Sequence, residues 1–91
     1  MVISLDVEQA RSTASTFSNC AEQIDGELST LNSSVNSVLT TWQGMSRAQF
    51  EEQWESCTAS IRQLSDRLRE LSRGLTIEAN EFESADSRFN G

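Results

Sequence analysis

The sequence predicts an all-α protein: an antiparallel helix-turn-helix hairpin with heptad seams, dimerising into a four-helix bundle. Three observations predict it. Apolar residues recur at alternating spacings of three and four along two long stretches, a short turn carrying Trp and Gly separates them, and no Pro interrupts either stretch.

The first seam runs through Val7, Ala10, Ala14, Phe17, Ala21, Ile24, Leu28, Leu31, Val35, Val38 and Trp42, sustained for five heptads. Asp6, followed three residues later by Gln9, offers an N-cap. A helix is expected over about 7–42.

The turn is expected over 42–45. Gly44 can take the left-handed conformation that closes a helix C-terminus. Ser46-Arg-Ala-Gln49 reads as a capping box, and Met45 and Phe50 fall at the two positions of a hydrophobic staple.

The second seam passes Phe50, Trp54, Cys57, Ile61, Leu64, Leu68, Leu71 and Leu75, then Glu78, and resumes at Phe82, Ala85 and Phe89. A helix is expected over about 47–85, with a short C-terminal tail, all within one domain spanning 1–91. A turn this short forces the helices antiparallel, each about 50 Å long at a rise of roughly 1.5 Å per residue. The register sets Leu28 near Ile61, Ile24 near Leu64, Phe17 near Leu71 and Val7 near Phe82. It also sets Glu78 against Ala10, where Arg11 can form a rim ion pair.

The seam residues Phe17, Ile24, Leu28, Leu31, Trp54, Ile61, Leu64, Leu68 and Leu71 are the expected core and dimer contacts. Their flanks are mostly small or polar (Ser18, Ser34, Thr58, Ser60, Ser65, Ser72, Gly74, Ala79), which lets further helices approach closely. A two-helix layer alone leaves half of each seam wet, so a dimer of hairpins is the expected unit.

Composition agrees. A chain of 91 residues with 36% apolar content sits near the lower limit for a self-sufficient core. Ser and Thr supply nearly a quarter of the residues, and both compete with the helix for backbone hydrogen bonds. Net charge is −7 and Lys is absent, so nucleic acid and anionic lipid surfaces are repelled on average. Arg62, Arg67, Arg69 and Arg73 cluster, but Asp66 and Glu70 interleave with them as a solvated ion-pair face. The N-terminal Met-Val-Ile-Ser-Leu-Asp has neither a basic region nor a long apolar stretch, so neither a Sec-type signal peptide nor an integral membrane segment is expected.

Residues for catalysis are missing. Without His or Tyr, hydrolase chemistry lacks its usual base and a helical di-metal site lacks its Glu-x-x-His ligands. No Gly-rich phosphate loop is present, so no enzyme activity, cofactor or metal is expected. Cys20 and Cys57 lack companion ligands. The register separates them by more than two helical turns along the hairpin, too far for a disulfide. Cys57, on the seam, is expected to be a buried small apolar residue.

Trp42-Gln43-Gly44 stands between the two heptad helices, mid-chain in a protein of this length. In that position it resembles the turn of the WXG family, the ESAT-like small proteins secreted by bacterial type VII systems, over essentially the full chain. The resemblance implies hairpins that pair into four-helix dimers, synthesis in the bacterial cytoplasm, and export without a cleaved signal peptide through a type VII secretion ATPase. It also implies a C-terminal signal of the form Tyr-x-x-x-Asp/Glu followed by a hydrophobic residue. Phe82, Asp86 and Phe89 occupy those places, with Phe82 standing where the family has Tyr. The expected role is a non-enzymatic secreted interaction module, a substrate or co-substrate acting as a dimer. The alternative is a cytoplasmic chaperone or targeting partner for a larger effector. A homodimer and a heterodimer with a related small helical protein both fit.

Overall fold

The computed structural model describes residues 4–90, with side chains described as far as Ala85. Two helices make up this region: α1, Val7–Leu39, and α2, Met45–Asn90. The expected Asp6 cap is present, its carboxylate accepting a hydrogen bond from the Gln9 backbone N–H at 3.0 Å.

α1 ends three residues before the expected Trp42. The Thr40 and Thr41 hydroxyls donate to the carbonyls of Ser37 and Val38 at 2.7 and 2.9 Å. The Thr41 and Trp42 N–H groups reach back only three residues, so the ladder tightens and stops. Gly44 takes positive φ, 115°, but it lies beyond the end of α1. It immediately precedes α2, and its carbonyl accepts from the Arg47 N–H at 3.2 Å. Gly44 therefore sets the entry to α2 rather than the exit from α1. Ser46 lies inside α2 and accepts from the Trp42 indole at 3.2 Å, so the expected capping box is replaced by a side-chain contact across the turn. α2 starts earlier and ends later than expected, continuing to Asn90 because nothing in 85–90 breaks a helix.

The molecule measures 70 × 21 × 14 Å. Its length is that of α2, whose 46 residues span about 69 Å at roughly 1.5 Å each, and its thickness is that of one helix. The 33 residues of α1 reach about 50 Å at the same rise, so the far end of α2 overhangs.

The two helices meet along small residues. Ala14, Ala21 and Leu28 on α1 face Thr58, Ser65, Ser72 and Ala79 on α2, each set at seven-residue spacing. Ala21 and Ala79 are wholly buried, and Ser65 is 1% exposed. The Ser72 hydroxyl donates to the Ala14 carbonyl at 2.7 Å, and Ser65 lies 3.4 Å from the Ala21 carbonyl. Such contacts from a side chain to the opposite backbone require a close helix approach that larger residues would prevent. The observed register sets Ala21 level with Ser65 and Ala14 level with Ser72, within one turn of the expected alignment.

This corrects the expected division of labour. The small flanks Thr58, Ser65, Ser72 and Ala79 close the hairpin on itself instead of receiving further helices, and the leucine seam turns outward.

Candidate interaction surface

With the small residues facing inward, the larger seam residues divide by depth. Leu28 is buried; Phe17, Ile24, Trp54, Ile61, Leu68 and Phe82 are half-buried. Leu31, Leu64 and Leu71 are 46%, 51% and 53% exposed, so within one hairpin they lie on the uncovered side of the seam. Ile24, Leu28, Leu31, Ile61 and Leu64 line one shallow groove with Cys20 on its rim. Leu71, Leu75, Gly74 and Glu78 line the next groove along α2. Gln23 and Glu27 border the first groove, and Arg67 and Glu70 the second. Cys57 falls in the row of Leu64 and Leu71 and is exposed, correcting its expected burial; both thiols are free.

The opposite edge is polar. The Ser65 hydroxyl donates to Asp25 at 2.8 Å and accepts from Arg69 at 2.8 Å, and Arg69 reaches Asp25 directly at 2.5 Å. The Trp54 indole donates to Asn32 at 3.0 Å. Arg11 bonds Glu83 at 2.7 Å and Asn80 at 2.9 Å. The expected pairing of Arg11 with Glu78 is therefore replaced: Glu83 and Asn80 lie on the side of α2 that faces Arg11, whereas Glu78 lies on the exposed apolar face.

These contacts make the hairpin acid-sensitive. Hydrogen bonds from Arg69 and then Ser65 hold the Asp25 carboxyl below its ordinary value, and a hydrogen bond from Arg11 does the same for Glu83. A carboxylate whose folded-state pKa is depressed stabilises the fold above its unfolded value, near 4, and that contribution is lost as pH falls through the folded value. Melting temperature should therefore decline with acidification below about pH 4. Asp25→Asn should make the decline shallower, by a small amount because the pair is solvated. A slope unchanged by the substitution would remove Asp25 as a contributor.

At the closed end, Trp42 is half-buried and its ring centroid lies 5.2 Å from that of Phe50, tilted by 37°. Arg47 bonds Glu51 at 2.8 Å and donates to the Trp42 carbonyl at 3.4 Å. Met45 is 88% exposed, so the expected Met45–Phe50 staple is replaced by Trp42 on Phe50, which locks the reversal of the chain. Phe82 is half-buried near the other end; the side chains of Asp86 and Phe89 lie outside the described residues. Among the described residues, no group of three metal-ligating side chains occurs and no helix is long and apolar enough to cross a membrane.

Sequence reasoning missed the inward rows and the Asp25–Ser65–Arg69 network. The signal was present in Ala14-Ala21 and Thr58-Ser65-Ser72-Ala79, small residues repeating every seven positions beside the leucine seam.

The molecule is thus a slender two-helix hairpin with an exposed apolar face and a turn closed by an aromatic pair. The chain belongs to the WXG100 family, proteins of 100 residues with WXG, whose model matches residues 2–87. It is 27% identical over 82 residues to the ESAT-6-like protein EsxB of Corynebacterium diphtheriae, covering 90% of this chain and 78% of that one. It is 26% identical over 85 residues to protein YukE of Bacillus subtilis, covering 93% and 88%. It is 21% identical over 89 residues to the type VII secretion system extracellular protein A of Staphylococcus aureus, covering 98% and 92%. The crystal structure of EsxA from Geobacillus thermodenitrificans superposes with a TM-score of 0.83 at 21% identity, covering 99% of this chain and 98% of that one. A point mutant of the secreted protein EsxB from Bacillus anthracis superposes with the same score at 24% identity, covering 94% and 96%.

Proposed function

We propose that this chain is a non-enzymatic secreted interaction module, a substrate or co-substrate of a bacterial type VII secretion system, working as a dimer of hairpins. The observation that carries the reading is the open leucine face. The hairpin exposes 7080 Å², whereas a compact monomer of 10.1 kDa scales to about 5,300 Å². The excess, about 1,800 Å² per chain, is more than the roughly 800 Å² per partner of a standard interface and falls, for two chains, within the range of about 2,000–5,000 Å² that obligate homodimers cover. The names of the relatives supply the secretion context, and their resemblance extends over nearly the whole chain.

Export is proposed to depend on two places, the Trp42-Gln43-Gly44 turn and the Phe82, Asp86, Phe89 tail, read together by the secretion ATPase. Antiparallel hairpins in a dimer set one chain's turn beside the other's tail. Trp42→Ala and Asp86→Ala should each lower the amount of protein in culture supernatant while cytoplasmic levels hold. Trp42→Ala should also lower the melting temperature, because the ring packs on Phe50. Asp86→Ala should leave the melting temperature nearly unchanged. Normal export of a folded Asp86→Ala dimer would move the signal to a co-exported partner.

A further inference from the structure

We infer that the open face pairs with a second copy of this chain in one register, and that Glu78 of one copy and Arg47 of the other select it. The inference rests on the dimer reading above and adds its alignment.

α2 presents two adjacent rows on this face. One is half-buried and carries Arg47, Trp54, Ile61 and Leu68; the other is exposed and carries Cys57, Leu64, Leu71 and Glu78. The first row continues through Leu75 and Phe82, and the second begins at Phe50 and reaches Ala85; among the described residues of these rows Arg47 and Glu78 are the only charged ones, and they bear opposite charge. Setting Leu64 against Ile61 of an antiparallel second copy sets Leu71 against Trp54 and Glu78 against Arg47. By two-fold symmetry the same ion pair recurs at the other end. Sliding the copies by one heptad in either direction puts Leu71 opposite Arg47, or Glu78 opposite Trp54. A parallel two-fold arrangement would stack α2 on the partner's α1 and leave this charge pair unmade. Among the antiparallel registers, one alone leaves neither charge against an apolar partner.

α1 accommodates the same axis. Its row on this face holds Phe17, Ile24 and Leu31, and the antiparallel match sets Phe17 against Leu31 with Ile24 meeting Ile24 on the axis. The hairpin's own register, fixed by Ser65 and Ser72 against α1 carbonyls, sets Ile24 level with Arg62. The α2 match puts its axis between Arg62 and Gln63. The two helices thus place the two-fold axis at one height to within about half a residue, less than 1 Å at roughly 1.5 Å per residue. Arg47 spends two of its donors on Glu51 and the Trp42 carbonyl, and the guanidinium has others for a partner carboxylate.

Sedimentation equilibrium tests this. A monomeric wild type would overturn the dimer reading itself, separately from the register. With a dimeric wild type, Arg47→Glu and Glu78→Arg should each weaken self-association about tenfold, since each turns two attractive end contacts repulsive. Mixing the two variants should restore wild-type affinity in mixed dimers, because each end again holds opposite charges. Unchanged self-association of both variants, or no preference for mixed dimers, would overturn the register. A second probe does not depend on charge. In a Cys20→Ser background, Leu68→Cys places a thiol opposite the partner's Cys57. Exchange with oxidised glutathione should then form that disulfide, releasing two molecules of reduced glutathione and leaving a covalent dimer. Leu75→Cys, one heptad away, should stay uncrosslinked. Crosslinking by Leu75→Cys and not by Leu68→Cys would overturn the register even if the charge variants failed to fold.

Discussion

Placing aspartate at both Leu64 and Leu71 should abolish association, leaving a species with the 10.1 kDa mass of one chain and reduced helicity. The two leucines are 51% and 53% exposed in the hairpin, so only a partner can finish burying them. Full burial of a leucine is worth about 1.5–3 kcal/mol. Half of that, for two residues counted twice by symmetry, comes to about 3–6 kcal/mol, or roughly two to four orders of magnitude in dissociation constant. Desolvating the new carboxylates adds to the loss. Helicity should fall as well because the face that joins α1 to α2 is built of alanine and serine, which bury little area. Unchanged mass and unchanged helicity would show that the leucine face is not the interface.

The second large effect concerns the inner face. Ala21→Leu should destabilise the fold by about 1–3 kcal/mol or more, because a wholly buried alanine leaves no room for extra methylenes between closely set helices. For a domain of this size that is a drop in melting temperature of at least several degrees. Ser65→Ala should cost less, about 1 kcal/mol, by removing the hydroxyl that joins Asp25 to Arg69. A melting curve for Ala21→Leu that superposes on wild type would mean that the helices do not meet there.

Much of this was legible in the residues. Heptad spacing and the absence of Pro required two long helices, and the short turn required them to be antiparallel. The Asp6 cap was identified from residue type and position. The site was legible in part. Trp42 and Gly44 were located by their place between the seams, but their contacts were not. Met45 and Trp42 are both apolar and both near Phe50 in sequence, and local pattern could not say which would pack on it. The early end of α1 was similarly hidden, because Thr40 and Thr41 hold helical or turn conformations with nearly equal ease.

The sequence by itself determined the number of helices, their direction and the existence of an apolar surface too large for one hairpin to bury. Periodicity dictates these things, since a helix places every third or fourth residue on one side whatever lies opposite. Which side faces inward was decided only by the tertiary structure. Two adjacent rows at seven-residue spacing, one of Ala, Ser and Thr and one of Leu and Ile, both satisfy the same heptad pattern. Close approach of the backbones selects the small row, with Ser65 and Ser72 hydrogen-bonding across it. The leucines are thereby left on the outside, where a second chain can cover them. Arg11 finds Glu83 rather than Glu78 for the same reason: the helix rotation that buries Ala79 also turns Glu78 onto the open face and Glu83 toward α1.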